Sequence, residues 1–307
     1  MNIVCIGEAL IDFKSTGPLA FQGYVGGSPL NVSVAASRLG GEVGFATQIS
    51  KDMFGGYLRR HMHENGIETS FVLEHEAPST LAFVEEIAGE AHFTFNSAGA
   101  ADTLYDPQPR PRFPDSVRFV EFGSISLLAE PAASAIVDIV RAHQDRIVIF
   151  DPNVRPTLIP NKDAYFEQLK GWLALSHIVK VSTQDLRWLY PDMTFAEVAK
   201  RWLELGANAV IVTQGEEGVS VFLPQDARFD VSAPKVKVVD TVGAGDTFTG
   251  ALMTSLLDEP EFDQLTEQSW RKVLTFAAAA AALNCQRSGA QPPTRSELET
   301  FMNSRNI

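Results

Sequence analysis

Cysteine is nearly absent: Cys5 and Cys285 are the only two in 307 residues. Both lie in apolar stretches, and no Cys-x-x-Cys or Cys/His spacing accompanies them. That argues against a disulfide framework or a structural zinc site, and for a reducing, cytoplasmic setting. Basic charge is also short, with 25 Lys+Arg against 38 Asp+Glu and a net charge of −13. A chain so acidic is poorly suited to nucleic acid or an anionic membrane as its main partner. Long hydrophobic runs are missing too. The longest, residues 276–283, is mostly alanine. It is too short to span a bilayer and reads as a helix packed closely on its neighbours. The first apolar run breaks at Glu8 and Asp12 without a basic segment before it, so no signal peptide is expected. Several motifs are absent as well. Lack of Gly-x-x-x-x-Gly-Lys-Ser/Thr argues against P-loop NTPases, and lack of Gly-x-Gly-x-x-Gly after the first strand argues against Rossmann dehydrogenases. No Gly-x-Ser-x-Gly elbow or His-Glu-x-x-His metal site is present.

What remains is a chain with 45% hydrophobic and 21% charged residues. That is ample for a large buried core, as one big α/β domain or two smaller ones. Apolar strands are expected at 2–6, 43–49, 117–122, 146–151, 177–181 and 209–213, alternating with helices at 29–39, 52–65, 131–143, 163–175, 182–189 and 194–204. The last third reads as helical, at 244–257, 264–284 and 295–303. Between 71 and 97 the helical period vanishes, and short β-like runs at 71–73, 80–87 and 91–95 suggest antiparallel hairpins. Together with a flap at 13–25 they read as a small β lid on the α/β body. No internal repeat or long linker breaks the chain, so residues 1–307 read as a single domain with the lid inserted.

The stretch Asp240-Thr241-Val242-Gly243-Ala244-Gly245-Asp246-Thr247-Phe248 is the most informative. Val236, Val238 and Val239 upstream suggest a strand end; Phe248, Ala251, Leu252 and Leu256 downstream recur at helical spacing. Gly243, Ala244 and Gly245 allow a tight turn and close approach to a ligand. A helix starting there aims its unpaired N–H groups and positive dipole end into the turn, which makes an anion site. Asp246 is either a first-turn acid favouring the dipole or a proton acceptor beside the anion. Other loops at strand ends repeat these alternatives. Asp12 falls after the first strand, where open α/β sheets bind ligands. Gly26-Gly27-Ser28-Pro29-Leu30-Asn31 is either an ordinary capped helix start or a backbone approach to a ligand. Arg155, in Asp151-Pro152-Asn153-Val154-Arg155, is a phosphate or substrate contact or else a surface ion pair. Ser182-Thr183-Gln184-Asp185 resembles a capping box, with a metal or water role for Asp185 as the alternative. Thr213-Gln214-Gly215-Glu216-Glu217-Gly218 closes the set.

These motifs resemble the ribokinase-like (PfkB) carbohydrate kinases, especially their fructokinase branch, over nearly the whole chain. The resemblance rests on Gly26-Gly27-Ser28-Pro29-Leu30-Asn31-Val32, Asp151-Pro152-Asn153-Val154-Arg155-Pro156 and the stretch 240–248. It implies an α/β three-layer sandwich with a mainly parallel sheet and a β lid. It implies ATP-dependent phosphorylation of the primary hydroxyl of a small sugar, fructose to fructose 6-phosphate, with ATP, Mg2+ and potassium as candidate cofactors. Ribokinase, ketodeoxygluconate kinase and nucleoside kinase are the alternatives within the family; a sugar-binding regulator without turnover is the alternative outside catalysis. By resemblance Asp246 is the base, and Gly243, Ala244 and Gly245 form the anion hole. Asp12, Gly26, Gly27, Asn31, Phe95 and Arg155 look like sugar contacts. Lys180, Ser182, Asp185, Thr213, Gly215, Gly218 and Gly245 look like the ATP side. Asp240, Val242, Asn284, Arg287 and Gly289 resemble a monovalent-cation site. In this family the lid can also form a homodimer interface. The chain departs from the pattern at Ser182-x-x-Asp185, where the family has Asn-x-x-Glu. It departs again at Asn96-Ser97, where relatives often carry Tyr-Arg, which argues against an acidic sugar. Pro293 stands where relatives offer a serine.

Overall fold

The computed structural model describes residues 1–87, 90–259 and 262–307. Strand β1 (Ile3–Ile6) is apolar and buried at every position, as a strand covered on both faces must be. It lies inside a nine-stranded sheet of order β5-β4-β1-β8-β9-β10-β11-β12-β13. The ranges are β4 (Val43–Ser50), β5 (Val72–His75), β8 (Phe119–Gly123), β9 (Ile147–Asp151), β10 (Ile178–Ser182), β11 (Ala209–Thr213), β12 (Val219–Phe222) and β13 (Arg228–Val231). Every pairing from β5 to β11 is parallel, and β12 and β13 add an antiparallel edge. The chain steps from β1 outward to β4 on one side and returns to β8 on the other. That reversal creates a switch point, where loops diverge and leave a crevice at the carboxyl ends of the strands.

Strand alternation sends side chains to two separate cores. Ile3, Cys5, Phe45 and Phe119 face α1 (Ser28–Arg38), α2 (Met53–Glu64), α7 (Ala244–Leu257), α8 (Glu267–Asn284) and α9 (Arg295–Arg305). Val4, Ile6, Val120 and Phe150 face α3 (Ala132–Arg141), α4 (Lys162–Ala174), α5 (Thr183–Leu189) and α6 (Phe195–Glu204). The result is three layers, as the resemblance implies. The alanine run of α8 does what its composition suggests: Ala277, Ala279 and Ala280 are fully buried, so that α8 lies close against α7.

A second sheet, order β3-β2-β6-β7, is the lid: β2 (Leu10–Gly17), β3 (Ala20–Gly26), β6 (Leu81–Ile87) and β7 (Glu90–Asn96). Three local expectations fail. The run at 71–73 belongs to β5 and pairs with β4 in the large sheet, because it continues the parallel edge. The lid is not purely antiparallel, since β2 and β6 run parallel. The valines at 236–239 form no strand; Val238 and Val239 are 57% and 60% exposed, so their apolar character is not evidence of a buried ladder. Residues 88–89 of the expected lid lie outside the described residues.

Helices α1 and α7 cross closely at Gly250. A Cβ there would stand 2.7 Å from Ala35 Cβ and 2.8 Å from both Val32 O and Ala36 N. Two of those are backbone atoms and cannot yield. Gly250→Ala is expected to cost about 1–3 kcal/mol through overpacking, read as a lower denaturant midpoint. Gly56→Ala in α2 is the control: a Cβ at Gly56 meets nothing within 4 Å, so the midpoint stays or rises.

Candidate active site

Helix α7 begins at Gly243, whose φ of 72° is left-handed. A side chain there would also strike Ala290, 2.5 Å from its Cβ. Only glycine suits such a corner. No side chain caps the helix. The Ala244 amide bonds Thr241 O at 3.2 Å and the Thr247 amide bonds Gly243 O at 2.8 Å. Among the described residues the amides of Gly245 and Asp246 have no acceptor. Two free N–H groups on a helix N-terminus can receive an anion.

Asp246 stands beside them. Ser28 Oγ donates to its Oδ1 at 2.7 Å, and Asn31 Nδ2 donates to its Oδ2 at 2.9 Å. Both donors come from the first turns of α1, so the α1–α7 crossing sets the geometry. The start of α1 is itself held from β1. Glu8, 2% exposed, accepts the Ser28 N–H on Oε1 at 3.1 Å. Its Oε2 is bonded by Ser126 Oγ, and the Glu8 N–H donates to that same hydroxyl at 2.9 Å.

Beneath α7 the sheet presents a row of charged groups on one face: Glu121 from β8, Asp151 from β9 and Lys180 from β10. Lys180 Nζ donates to Asp151 Oδ2 at 2.8 Å, and both are buried. The same ammonium lies 2.8 Å from where a Cβ on Gly245 would be, next to the anion site. Glu121 is 1% exposed, and its Oε2 has no partner among the described residues.

Burial dominates the titration of these acids. It pushes the Asp246 carboxyl up, against the Ser28 and Asn31 bonds and the Lys180 charge. It lifts Asp12 to about 7, with Arg155 opposing and Asp246 and Glu8 adding. Glu121 is raised well above the carboxylate range by burial and then by Asp151, Glu8 and Asp246. Asp102 is raised to about 7 by burial, although Thr80 donates to it at 2.6 Å. Burial works against the Lys180 ammonium, but Asp151 and its neighbours hold its pKa above the ordinary value.

The structure places most of the expected residues on strand ends, helix starts and the lid sheet around Asp246. Asp12 sits in lid strand β2 rather than at the end of β1. Its carboxylate occupies the space a Gly26 side chain would take, and Gly27 opens α1 beside it. Arg155 is held by Asn153 Oδ1 at 2.8 Å and lies 5.3 Å over the Phe93 ring, which stacks on Phe95. The lid therefore closes over Arg155 with aromatic faces. Ser182 and Thr213 are register partners at the ends of β10 and β11. The turn with Gly215 and Gly218 follows, closed by the Gln214 N–H on Gly218 O at 2.8 Å. Ser182 and Asp185 form the capping box. Asp185 is fully engaged, by the Val154 N–H at 2.9 Å on Oδ1 and by Ser182 Oγ at 2.6 Å on Oδ2.

The five candidate cation residues meet around the loop before α7. Asp240 accepts from the amides of Val242 at 3.1 Å and Gly289 at 3.0 Å. Asn284 donates to Val242 O at 2.8 Å, and the Arg287 amide bonds Asn284 O at 3.0 Å. One contact is unforeseen: Lys14 Nζ, from the lid, lies 3.1 Å from Asp240 Oδ2. Sequence reading also missed Ser28, Glu8 and Glu121. The available signal was a charged residue in a buried strand, in Phe119-Val120-Glu121-Phe122, and an acid two residues beyond β1. Among the described residues no cluster of three or more His, Cys, Asp or Glu could hold a metal ion. No described helix is long and apolar enough to cross a membrane.

A buried carboxylate thus stands beside free helix-start amides and a buried ammonium, between the large sheet and the lid. Comparison with known proteins names the family. The family model described as pfkB family carbohydrate kinase matches residues 1–297. A fructokinase of Rhizobium leguminosarum bv. trifolii is 35% identical over 88% of this chain and 85% of its own. The crystal structure of a Xylella fastidiosa fructokinase with bound ATP superposes with a TM-score of 0.91, at 31% identity, covering 100% and 99% of the two chains. An aminoimidazole riboside kinase of Salmonella enterica, solved with its riboside and an ATP analogue, gives 0.86 at 29%, covering 98% and 100%. The chain belongs to the pfkB family of carbohydrate kinases, and it is an ATP-dependent carbohydrate kinase with the ribokinase-like fold.

Asp12 makes stability depend on pH. Its folded pKa of about 7 lies above the unfolded value, so the folded state keeps a proton that the unfolded state has lost. Its contribution is therefore intact below the unfolded pKa and declines as pH rises toward 7. Asp12→Asn is expected to equal wild type at pH 4 and exceed it by up to about 4 kcal/mol at pH 8, measured by denaturant unfolding.

Proposed function

We propose that the protein transfers the γ-phosphoryl group of ATP to the primary hydroxyl of a small sugar, fructose first, giving fructose 6-phosphate. The observation that carries this reading is Asp246, a carboxylate held by two donors beside the free amides of Gly245 and itself. Asp246 accepts the hydroxyl proton. The sugar oxygen forms its bond to the γ-phosphorus as the bond to the β–γ bridging oxygen breaks, and ADP leaves with that electron pair. Of the expected anion hole, the Ala244 amide is already taken by Thr241 O, so charge on the equatorial oxygens is met by the amides of Gly245 and Asp246, with Lys180 behind them. A preorganised donor of this kind is worth about 2.7–4 kcal/mol by analogy with oxyanion holes. A positioned base adds about 10²–10⁴-fold. In phosphoryl transfer such placement is most of what a protein supplies.

Asp12, Gly26, Gly27, Asn31, Phe95 and Arg155 are the proposed sugar contacts, closed over by the lid. Ser182, Thr213, Gly215 and Gly218 are proposed to face ATP. Magnesium would arrive on the ATP phosphates and neutralise their charge; Asp185, with its protein partners in place, would reach it through water. The oxygen donors around Asp240 fit a monovalent cation. Asp240 and the carbonyls of Val242, Asn284, Arg287 and Gly289 would hold it, adding positive charge behind the anion site, where Lys14 already supplies one. Exposed Leu19, Phe21 and Tyr24 on the lid support a second copy of the chain docking there.

Similarity to a riboside kinase supports a second substrate reading on the same chemistry. An ADP-release assay across fructose, ribose, ketodeoxygluconate and a nucleoside decides between them. Fructose is expected to give the highest kcat/KM, and turnover of the nucleoside alone would move the assignment. Asp246→Asn is expected to bind ATP and sugar with near-wild-type affinity while kcat falls by at least about 10²-fold. A variant within a few-fold of wild-type rate would remove the base from Asp246.

A further inference from the structure

Ser28 and Asn31 are the first and fourth residues of α1, and positions three apart share one face of a helix. Each donates to a different oxygen of the same carboxylate, Ser28 to Oδ1 at 2.7 Å and Asn31 to Oδ2 at 2.9 Å. A carboxylate with one donor can still swing about its terminal torsion, which is broad. With a donor on each oxygen it cannot. The first donor is fixed from behind. The N–H of Ser28 has no intrahelical acceptor, because it opens the helix. No side chain of the preceding residues caps α1. Glu8 does so from twenty residues upstream, taking that N–H on Oε1 at 3.1 Å while Ser126 holds its other oxygen. Pro29 follows at once and fixes the backbone of the first turn. Ser28 is 8% exposed, so solvent does not compete well for its hydroxyl.

We propose that Ser28, anchored by Glu8, is a positioning residue for the base: its hydroxyl fixes the Asp246 carboxylate in the orientation that meets the sugar hydroxyl and favours its ionised form. This rests on the reading of Asp246 as the base. Each Asp246 oxygen has one lone-pair direction filled by α1 and another left for the substrate. Other charges face Asp246 as well: Lys180 from β10, Asp151 from β9, Glu121 from β8 and Asp12 from β2. None of these is changed when Ser28 alone is altered. Removing the hydroxyl withdraws a bond made to the charged form, which raises the pKa.

Titration of 13Cγ-aspartate-labelled protein by NMR tests this, with the Asp246 resonance assigned by its loss in Asp246→Asn. In Ser28→Ala the Asp246 midpoint is expected to move up by about one pH unit. The acid limb of kcat should move with it, while the KM for sugar stays within about twofold. Ser28→Thr, which keeps the hydroxyl, should restore the wild-type midpoint. An unmoved midpoint in Ser28→Ala, or an equal shift in Ser28→Thr, overturns the proposal. A shifted midpoint in a protein that turns over no sugar or nucleoside sinks the kinase chemistry assigned to Asp246 and leaves the carboxylate clamp standing.

Discussion

Two helices that start on the same side of the sheet depend on one close crossing. At Gly250 the backbone of α7 comes within reach of the α1 backbone, with no room for a methyl group. That contact sets the distance between the two helix N-termini. One N-terminus offers amides to an anion; the other offers Ser28 and Asn31 to the acid beside that anion. Packing and chemistry are therefore the same constraint. A shift of α1 by about an ångström would leave the sheet covered and the Asp246 carboxylate unheld; for the proposed base, displacements of that size cost rate steeply.

The sheet supplies the other half of the arrangement. Parallel strands end together, and the switch between β1 and β8 opens the crevice there. Side chains on one face of β8, β9 and β10 lie under α7: Asp151 and Lys180 near the strand ends, and Glu121, opposite Ile149, two residues deeper. A buried ammonium is costly without a partner, and Asp151 provides one at 2.8 Å. Only one of the three Lys180 N–H groups is used by that bond. The remaining donors lie beside Gly245, so the pair is stable and still oriented toward the anion site.

Much of this was legible in the chain. Continuous apolar strands alternating with amphipathic helices gave the layered α/β body, because periodicity reports burial directly. The Gly-Ala-Gly turn was legible because a left-handed corner leaves few residue choices. What escaped was long-range. Nothing local in Asp12 distinguishes the end of β1 from the middle of a lid strand. The lid's β2–β6 pairing joins segments about seventy residues apart in parallel, whereas hairpin patterns report only neighbours. Ser28 read as an ordinary helix start, since its partner lies 218 residues away. The valines at 236–239 misled for the opposite reason: apolar residues are common on surfaces, and a short run of them does not imply a sheet.

An acidic protein that binds a polyanion would be expected to repel it. The burial pattern answers this at the site itself. Burial raises the pKa of Glu8, Asp12, Glu121, Asp151's neighbour Asp185 and Asp246. A carboxyl raised in this way holds its proton to higher pH, which lessens the negative charge that opposes the phosphates. The acids differ in what holds them. Asp246 has two side-chain donors and the Lys180 charge working toward ionisation. Glu121 has one oxygen without a partner, and three acids nearby push it toward the neutral form. Environments that push neighbouring carboxyls apart assign them different roles. The group best placed to be ionised is the one beside the free amides, as the proposed base must be. The group best placed to stay neutral lies deeper in the sheet, where a second negative charge would oppose both the proposed base and an anion on the free amides.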